Sequence, residues 1–429
     1  MQNVNYLPDV KKQYEHLPYP PVDPQDEYKR LQRTWLEDLP MMNHYCYQGR
    51  ETFANGFRVL VAGGGTGDAT IFLAEQLRHT DAQVVHLDLS QASIRIAQQR
   101  AAIRKLDNIR WVNASLLDLP TLGLGRFDYI NCVGVLHHLA DPDAGLRALR
   151  GVLTERGAIG MMVYGEIGRT GIYHMQRLLR LANGGCDEAA RIAQAREVLA
   201  ALPAGNWFRR AGDLYGGQGS DADIFDMLLH SQDRAYTVPE LYAWLEDGHG
   251  LHIEFSDVQR GRFPYLPGLT LGLEATQMRA RLPGMGAREQ AAMSELLVGD
   301  IIRHNLYLTA STASQAPYGD ADYIPFFFHE PLDPVALEAL FAPKNGQPTF
   351  LNHQFLGLKA AVDAGRYSGK VLRHVDGKRT FGQIFDMVRA DPACRAAEPN
   401  NAALFADFRA TYELLNAIER ILLRHVSCR

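Results

Sequence analysis

Apolar positions in the first third of the chain come in short unbroken blocks. Val59–Ala62, Val84–Asp88, Ile109–Asn113, Phe127–Val133 and Ala158–Tyr164 are such runs. A short block that is apolar on both faces predicts a strand buried in a parallel sheet. Between the blocks, apolar residues recur at helical spacing; Ile94, Ala97 and Ala101 share one helix face. This β-α-β-α alternation predicts a parallel sheet with helices on both faces. His304–Ala310 (HNLYLTA) reads as a last strand, an edge hairpin partner. The expected fold is α/β, a Rossmann-like doubly wound sheet of seven strands.

The same pattern divides the chain. Residues 1–40 precede the first strand, and Tyr14-Glu15-His16-Leu17-Pro18-Tyr19-Pro20-Pro21 is too Pro-punctuated for a continuous helix. Residues 41–312 hold the sheet, interrupted at 165–250 by helical patterns, to about Leu202, and a Gly/Asp-rich loop, Gly212–Asp223. By position that insertion is a cap over the carboxyl ends of the strands, where open α/β sheets bind ligands. Thr237-Val238-Pro239-Glu240 starts a helix: Thr N-cap, early Pro, Glu at N3. A strand is expected near Leu251–Val258 and helix over 264–300. Ser311–Asp322 has linker composition, and 323–429 reads as a small, mainly helical module. There Asp376-Gly377 is a tight turn between two helices, Thr380 caps the second, and Phe405–His425 is a final helix.

Composition narrows the classes of function. The 429 residues are too many for one typical domain. A net charge of −5 gives no basic bias, so nucleic acid is not an expected partner. Five scattered cysteines, none in C-x-x-C spacing, argue against a disulfide framework and against a metal site. No apolar h-region opens the chain, and no apolar run nears the ~20 residues that span a bilayer. A cytoplasmic protein without membrane contact is the expectation.

The most informative chemistry follows the first strand. Gly63-x-Gly65-x-Gly67 lets the backbone turn sharply and lets a ligand lie on bare main chain. Asp88, at the end of the second strand, is placed for ribose hydroxyls. A dinucleotide fingerprint wants glycine where Asp68 stands, and a carboxylate there would repel pyrophosphate. The spacing suits a cofactor with no phosphate and a cationic, amino-acid-like tail. A Gly-rich turn in an ordinary α/β protein is the competing reading.

Taken together, VLVAGGGTGDAT, HLDLS and FDYINCVGVLHHLADPDAGLRALRGVLTERG resemble class I S-adenosylmethionine-dependent methyltransferases of types 11 and 12, over roughly residues 40–310. The resemblance implies S-adenosylmethionine as cofactor. It places Gly63, Gly65 and Gly67 along the methionine moiety and Asp88 on the ribose hydroxyls. Leu89 packs on the adenine, Ser115 and Leu116 edge it, and Val133 and Gly134 line the methyl side. Many members carry Asp where Ser115 stands; a serine hydroxyl also accepts, or Asp118 serves instead. The YE-x-x-PYP start, the VGVLHHL-x-DP turn and the YTVPEL segment are similar to bacterial protein-lysine methyltransferases. The module from 323 onward resembles small winged-helix modules that bind peptides, against a plain packing or dimerisation domain.

A sulfonium cofactor carries the hard chemistry, leaving the protein to bind, orient and set electrostatics. A lysine acceptor is the exception, because deprotonating an amine of pKa about 10.4 at pH 7 costs about 4.6 kcal/mol. Candidates on the acceptor side are Tyr164 and Glu166 at the end of the fifth strand and His137 in the turn after the fourth. His138, Arg169, Tyr173 and His230 are further ones. Each histidine also has a structural reading, as a cap or a satisfied polar residue. Tyr14 and Tyr19 are read either as part of a lid over the donor or as anchors of a terminus. The leading expectation is methyl transfer to a protein or peptide side chain. The alternatives are a small-molecule O- or N-methyltransferase and a cofactor-binding protein without turnover. A homodimer through the last helix is the expected assembly.

Overall fold

The computed structural model describes residues 6–182, 184–215, 219–329, 333–343, 347–353, 358–394 and 398–428. It forms two compact units, each discontinuous in sequence. The first comprises residues 1–38, 53–250 and 299–310; the second comprises 39–52, 251–298 and 311–429. The sequence pattern had drawn a continuous 41–312 domain. Residues 39–52 and 251–298 group instead with the C-terminal part, a non-local association that pattern alone does not register.

The first unit is built on seven strands: β1 (Arg58–Ala62), β2 (Gln83–Asp88), β3 (Ile109–Asn113), β4 (Phe127–Val133), β5 (Leu153–Gly165), β6 (Ala235–Tyr236) and β7 (Arg303–Thr309). Their order is β3-β2-β1-β4-β5-β7, with β6 beside the carboxyl end of β5. All pairs are parallel except β5–β7. Val59, Leu60, Val61 and Ala62 have no exposed surface, the burial expected of a central parallel strand. Order reverses between β1 and β4, so their carboxyl ends open the crevice where such sheets bind ligands. Three helices matter for the site: α1 (Pro8–His16), α2 (Asp68–Leu77) and α3 (Gln91–Arg104). Helix α1 stops two residues before Pro18, because the residue preceding a proline is biased away from helix. Ile94, Ala97 and Ala101 of α3 are buried, as their spacing predicted.

The 165–250 insertion is helical at Thr170–Ala182 and Glu188–Ala200, with its own core around Ile172, Met175, Ile192 and Phe225. The 212–223 stretch, expected as a loop, has a short turn at Gly212–Tyr215 and a helix from Asp221; residues 216–218 lie outside the described ones. Thr237 and Glu240 form a complete capping box.

In the second unit, helices dominate, with two antiparallel strand pairs: Tyr323–Phe327 with Ile421–His425, and Thr349–His353 with Leu358–Val362. Thr380 caps the helix Phe381–Ala390, and Gly377 (φ 71°) makes the expected turn. The final helix is shorter than expected, ending at Ala417. Glu419 takes φ 54°, and Ile421–Leu423 bury themselves in a ladder. Tertiary pairing overrides helical periodicity there. The residues 264–300 break into short helices before Ala287–Val298, and the expected Leu251–Val258 strand spans His252–Phe255. All five cysteines are unpaired.

Candidate active site

Partial exposure in the first unit concentrates at strand ends. Gly63, Gly64 and Gly65 after β1, Asp88 and Leu89 after β2, and Val133, Gly134 and Val135 after β4 are half-buried, whereas the strands before them are mostly buried. The glycines are required. A Cβ on Gly63 (φ 77°) would meet a Val135 methyl at 2.4 Å, and one on Gly65 (φ 51°) would meet the Tyr19 carbonyl at 2.5 Å. The N-terminal segment thus lies directly on the loop. The Thr66 amide donates to the Tyr19 carbonyl (3.3 Å), and its hydroxyl donates to that of Pro20 (2.8 Å).

Asp88 tests whether these residues fit an adenosyl donor. Its Oδ2 accepts from the Gly65 amide and its Oδ1 from the Ser90 amide, both at 2.7 Å. Among the described residues it has no ion-pair partner, and burial pushes its carboxyl above the ordinary range. Each oxygen keeps acceptor capacity on the half-open side, which suits two ribose hydroxyls. Leu89 is half-buried beside it, and Leu116 is buried. The Ser115 hydroxyl accepts from the Leu117 amide (3.2 Å), capping a short turn that holds Asp118. Asn113, which the sequence did not single out, donates to the carbonyls of Asp88 and Leu89 (3.0 Å each) and fixes the loop.

Asp68 needs reinterpretation. Its carboxylate pairs at 2.6 Å with Arg100, a fully buried arginine that also pairs with Glu27. The charge that would repel pyrophosphate is therefore largely neutralised within the fold. What remains to exclude a dinucleotide is the absent glycine and the N-terminal segment over Gly65.

A second cluster gathers at the carboxyl end of β5. Tyr164 donates to Asp226 Oδ2 (3.3 Å) and Tyr14 donates to Asp226 Oδ1 (3.1 Å). Tyr14 also contacts His230 Nε2 (3.4 Å), and His138 stacks on His230 with centroids 3.9 Å apart. Arg169 lies 3.5 Å over the Tyr164 ring and 3.8 Å from Asp233. Among the described residues no lysine or arginine forms an ion pair with Asp226. Burial raises the Asp226 carboxyl, opposed by the His138 ring, the two tyrosine hydroxyls and Arg169. Burial lowers His137, His138 and His230, the last to about 2, so all three are neutral at pH 7. Two acids, Asp226 and Asp233, thus gather near one guanidinium, that of Arg169.

The cluster joins the cofactor loop through the N-terminal segment. The Tyr14 carbonyl accepts from the Ser90 hydroxyl (3.0 Å), and Glu15 accepts from the Gln91 and Ala92 amides at the start of α3. Of the sequence candidates, Tyr164, His138, Arg169 and His230 meet here. His137 packs on Tyr164 (3.9 Å), with both ring nitrogens buried and unpartnered. Glu166 is exposed, and no described contact joins it to Asp226, Tyr14 or Tyr164. Its amide donates to the Tyr236 carbonyl at 3.0 Å. Asp226 itself was missed. The available signal was a lone acid inside an apolar run, Ile224–Leu229, just before His230.

Comparison with known proteins agrees with this geometry. A family profile described as a methyltransferase domain matches residues 60–159. An uncharacterized protein of Synechococcus sp., syc1184_c, is 32% identical over 320 residues, 73% of this chain and 74% of that one. A ubiquinone biosynthesis O-methyltransferase of Albidiferax ferrireducens is 26% identical over 182 residues, 41% of this chain and 67% of its own. Among solved structures, PKMT2 from Rickettsia typhi superimposes with a TM-score of 0.59 at 16% identity, covering 91% of this chain and 75% of that one. Its complex with AdoHcy gives 0.57 at 16% identity, covering 89% and 76%. At that identity the likeness is one of fold.

Proposed function

The chain belongs to the class I S-adenosylmethionine-dependent methyltransferases, and on that premise we propose that it methylates the amine nitrogen of a lysine side chain in a protein or peptide. S-adenosylmethionine is the methyl donor, and when bound it supplies a methyl group made electrophilic by a sulfonium. Gly63, Gly65 and Gly67 give it bare backbone, Asp88 accepts from the ribose, and Leu89, Ser115 and Leu116 bound the adenine. Val133 lies on the methyl side. Tyr164 orients the acceptor, and His137 packs behind it. Glu166, exposed, takes no catalytic part; Asp226 fills the acidic role.

One observation carries the acceptor class. Asp226 is a buried carboxylate, joined by two tyrosine hydroxyls and lacking a cationic partner among the described residues. A buried charge is stable when paired, and an incoming ammonium supplies the missing cation. Neutral phenols and carboxylic acids bring no such charge. A cytoplasmic location accords with five unpaired cysteines.

The test is transfer of labelled methyl from S-adenosylmethionine to a lysine-rich peptide, against the same peptide with its lysines acetylated. Label on the first alone is expected. Equal label on both, with transfer to small catechols, would instead favour the small-molecule O-methyltransferase reading that the ubiquinone-pathway relative suggests.

A further inference from the structure

Within the acidic cluster the two facing histidines are not equivalent. The backbone of Gln232 distinguishes them. Its amide donates to Nδ1 of His230 at 3.0 Å, so that nitrogen is unprotonated and the hydrogen of the neutral ring sits on Nε2. Its carbonyl lies 2.8 Å from Nδ1 of His138, and a carbonyl only accepts, so the hydrogen of that ring sits on Nδ1. Nε2 of His138 is left with a lone pair. His138 and Asp226 each bring one polar atom within 4.8 Å of the other, and both are more than nine-tenths buried.

Resting on the reading of an amine acceptor, we propose that His138 Nε2 is the base that takes the proton from the acceptor ammonium, while Asp226 binds that ammonium beforehand. An N–H bond of the ammonium breaks and its electron pair stays on nitrogen as the attacking lone pair. The proton bonds to His138 Nε2. The resulting imidazolium lies against the Asp226 carboxylate and keeps its Nδ1–H on the Gln232 carbonyl, so the positive charge moves within the cluster and none is created. A base oriented by a backbone carbonyl and flanked by a carboxylate has the arrangement general-base catalysis needs. The surroundings bear on its titration from every side. The His230 ring stacks on it at 3.9 Å, the His137 ring lies at 4.2 Å and the Tyr164 edge at 5.7 Å. Burial opposes its cation most strongly; Asp226, the Gln232 carbonyl and Asp233 favour it, and Arg169 opposes it.

His138, Asp226 and His230 together also have the spacing of a metal site. The tautomers speak against that use, because Nε2 of His230 carries hydrogen and its Nδ1 already accepts from Gln232.

The experiment compares the full-length wild-type chain with His138→Asn, which keeps a donor for the Gln232 carbonyl and removes Nε2. Methyl transfer to a lysine peptide is followed from pH 7 to 10, with S-adenosylhomocysteine affinity as the control for folding. The expected result is unchanged affinity, little change in KM, and a kcat loss of about 100-fold at pH 7 that shrinks as pH rises. It shrinks because more of the acceptor then arrives deprotonated. A loss equal at every pH, or no loss, overturns the assignment. A wild-type chain that binds S-adenosylhomocysteine but methylates no amine at any pH removes the acceptor reading and this one with it. Zinc retained stoichiometrically by the wild type and lost in His138→Asn would assign the cluster to a metal and also overturn it. If the variant fails to bind S-adenosylhomocysteine, ¹⁵N spectra of the wild-type imidazoles decide: a proton on Nε2 of His138 at neutral pH refutes the proposal.

Discussion

Each unit buries histidine and carboxylate together, and the two treat them differently. In the second unit, His44 has no exposed surface and partners on both ring nitrogens. Nδ1 donates to the Leu423 carbonyl at 3.2 Å, and Nε2 accepts from the Asn416 side-chain amide at 3.0 Å. Nearby, Glu419 accepts from Ser256 (2.7 Å) and Tyr45 (3.3 Å). In the first unit, among the described residues, His137 has no partner on either nitrogen, His138 keeps a lone pair, and Asp226 accepts from two tyrosines at the long end of hydrogen-bond range. Burial lowers all of these imidazoles, so perturbation by itself does not separate a structural site from a chemical one. For the histidines unfilled hydrogen-bonding capacity does; for the carboxylates it does not, since among the described residues Glu419 keeps a buried Oε2 without a partner while both oxygens of Asp226 accept.

The comparison is open to experiment. The largest expected effect is at Asp226. Asp226→Asn keeps the shape and loses the charge, and kcat/KM toward a lysine peptide should fall about 1,000-fold, about 4 kcal/mol, with cofactor affinity unchanged by calorimetry. A variant within threefold of wild type would place Asp226 among structural residues like Glu419. Next is His44→Ala, which strands several buried partners and should lower unfolding stability by about 2–3 kcal/mol in urea titration. An unaltered midpoint would mean the saturated network is incidental. Then comes Asp88→Ala, for which S-adenosylmethionine should bind at least tenfold more weakly, about 1.4 kcal/mol. Unchanged calorimetric affinity would remove Asp88 from the donor site.

A further expected effect is a pH slope. Burial pushes Glu419 up to about 8, above its unfolded value. The folded state therefore holds a proton that the unfolded state has released, and stability is full below the unfolded value and lost as pH rises toward 8. Denaturation midpoints should fall from about pH 5 to 8, and Glu419→Gln should flatten that decline. A slope identical in the variant would assign it to another group.

Much of the first unit was legible in sequence. The blocks that became β1 to β5 are local runs whose burial follows from their composition, and the glycine loop with Asp88 is read from spacing alone. The capping boxes at Thr237 and Thr380 are likewise local. What failed was non-local. The Phe405–His425 helix is cut short because Ile421–His425 found a strand partner at Tyr323–Phe327. Glu166, expected at the same strand end, is exposed, whereas the buried carboxylate beside Tyr164 is Asp226, distant from it in sequence. The electrostatic argument at Asp68 failed for the same reason, since Arg100 is distant in sequence and adjacent in space.

The sequence by itself therefore determined the sheet, the cofactor loop and the kind of cofactor, because strand burial, glycine conformation and motif spacing are properties of neighbouring residues. Only the tertiary structure brings together the buried cluster around Asp226. Tyr14, His138, Tyr164, Asp226 and His230 come from four separate segments, and their properties depend on desolvation, on the absence of a cation at Asp226 among the described residues, and on the two contacts that Gln232 makes. Those properties arise only when the segments pack.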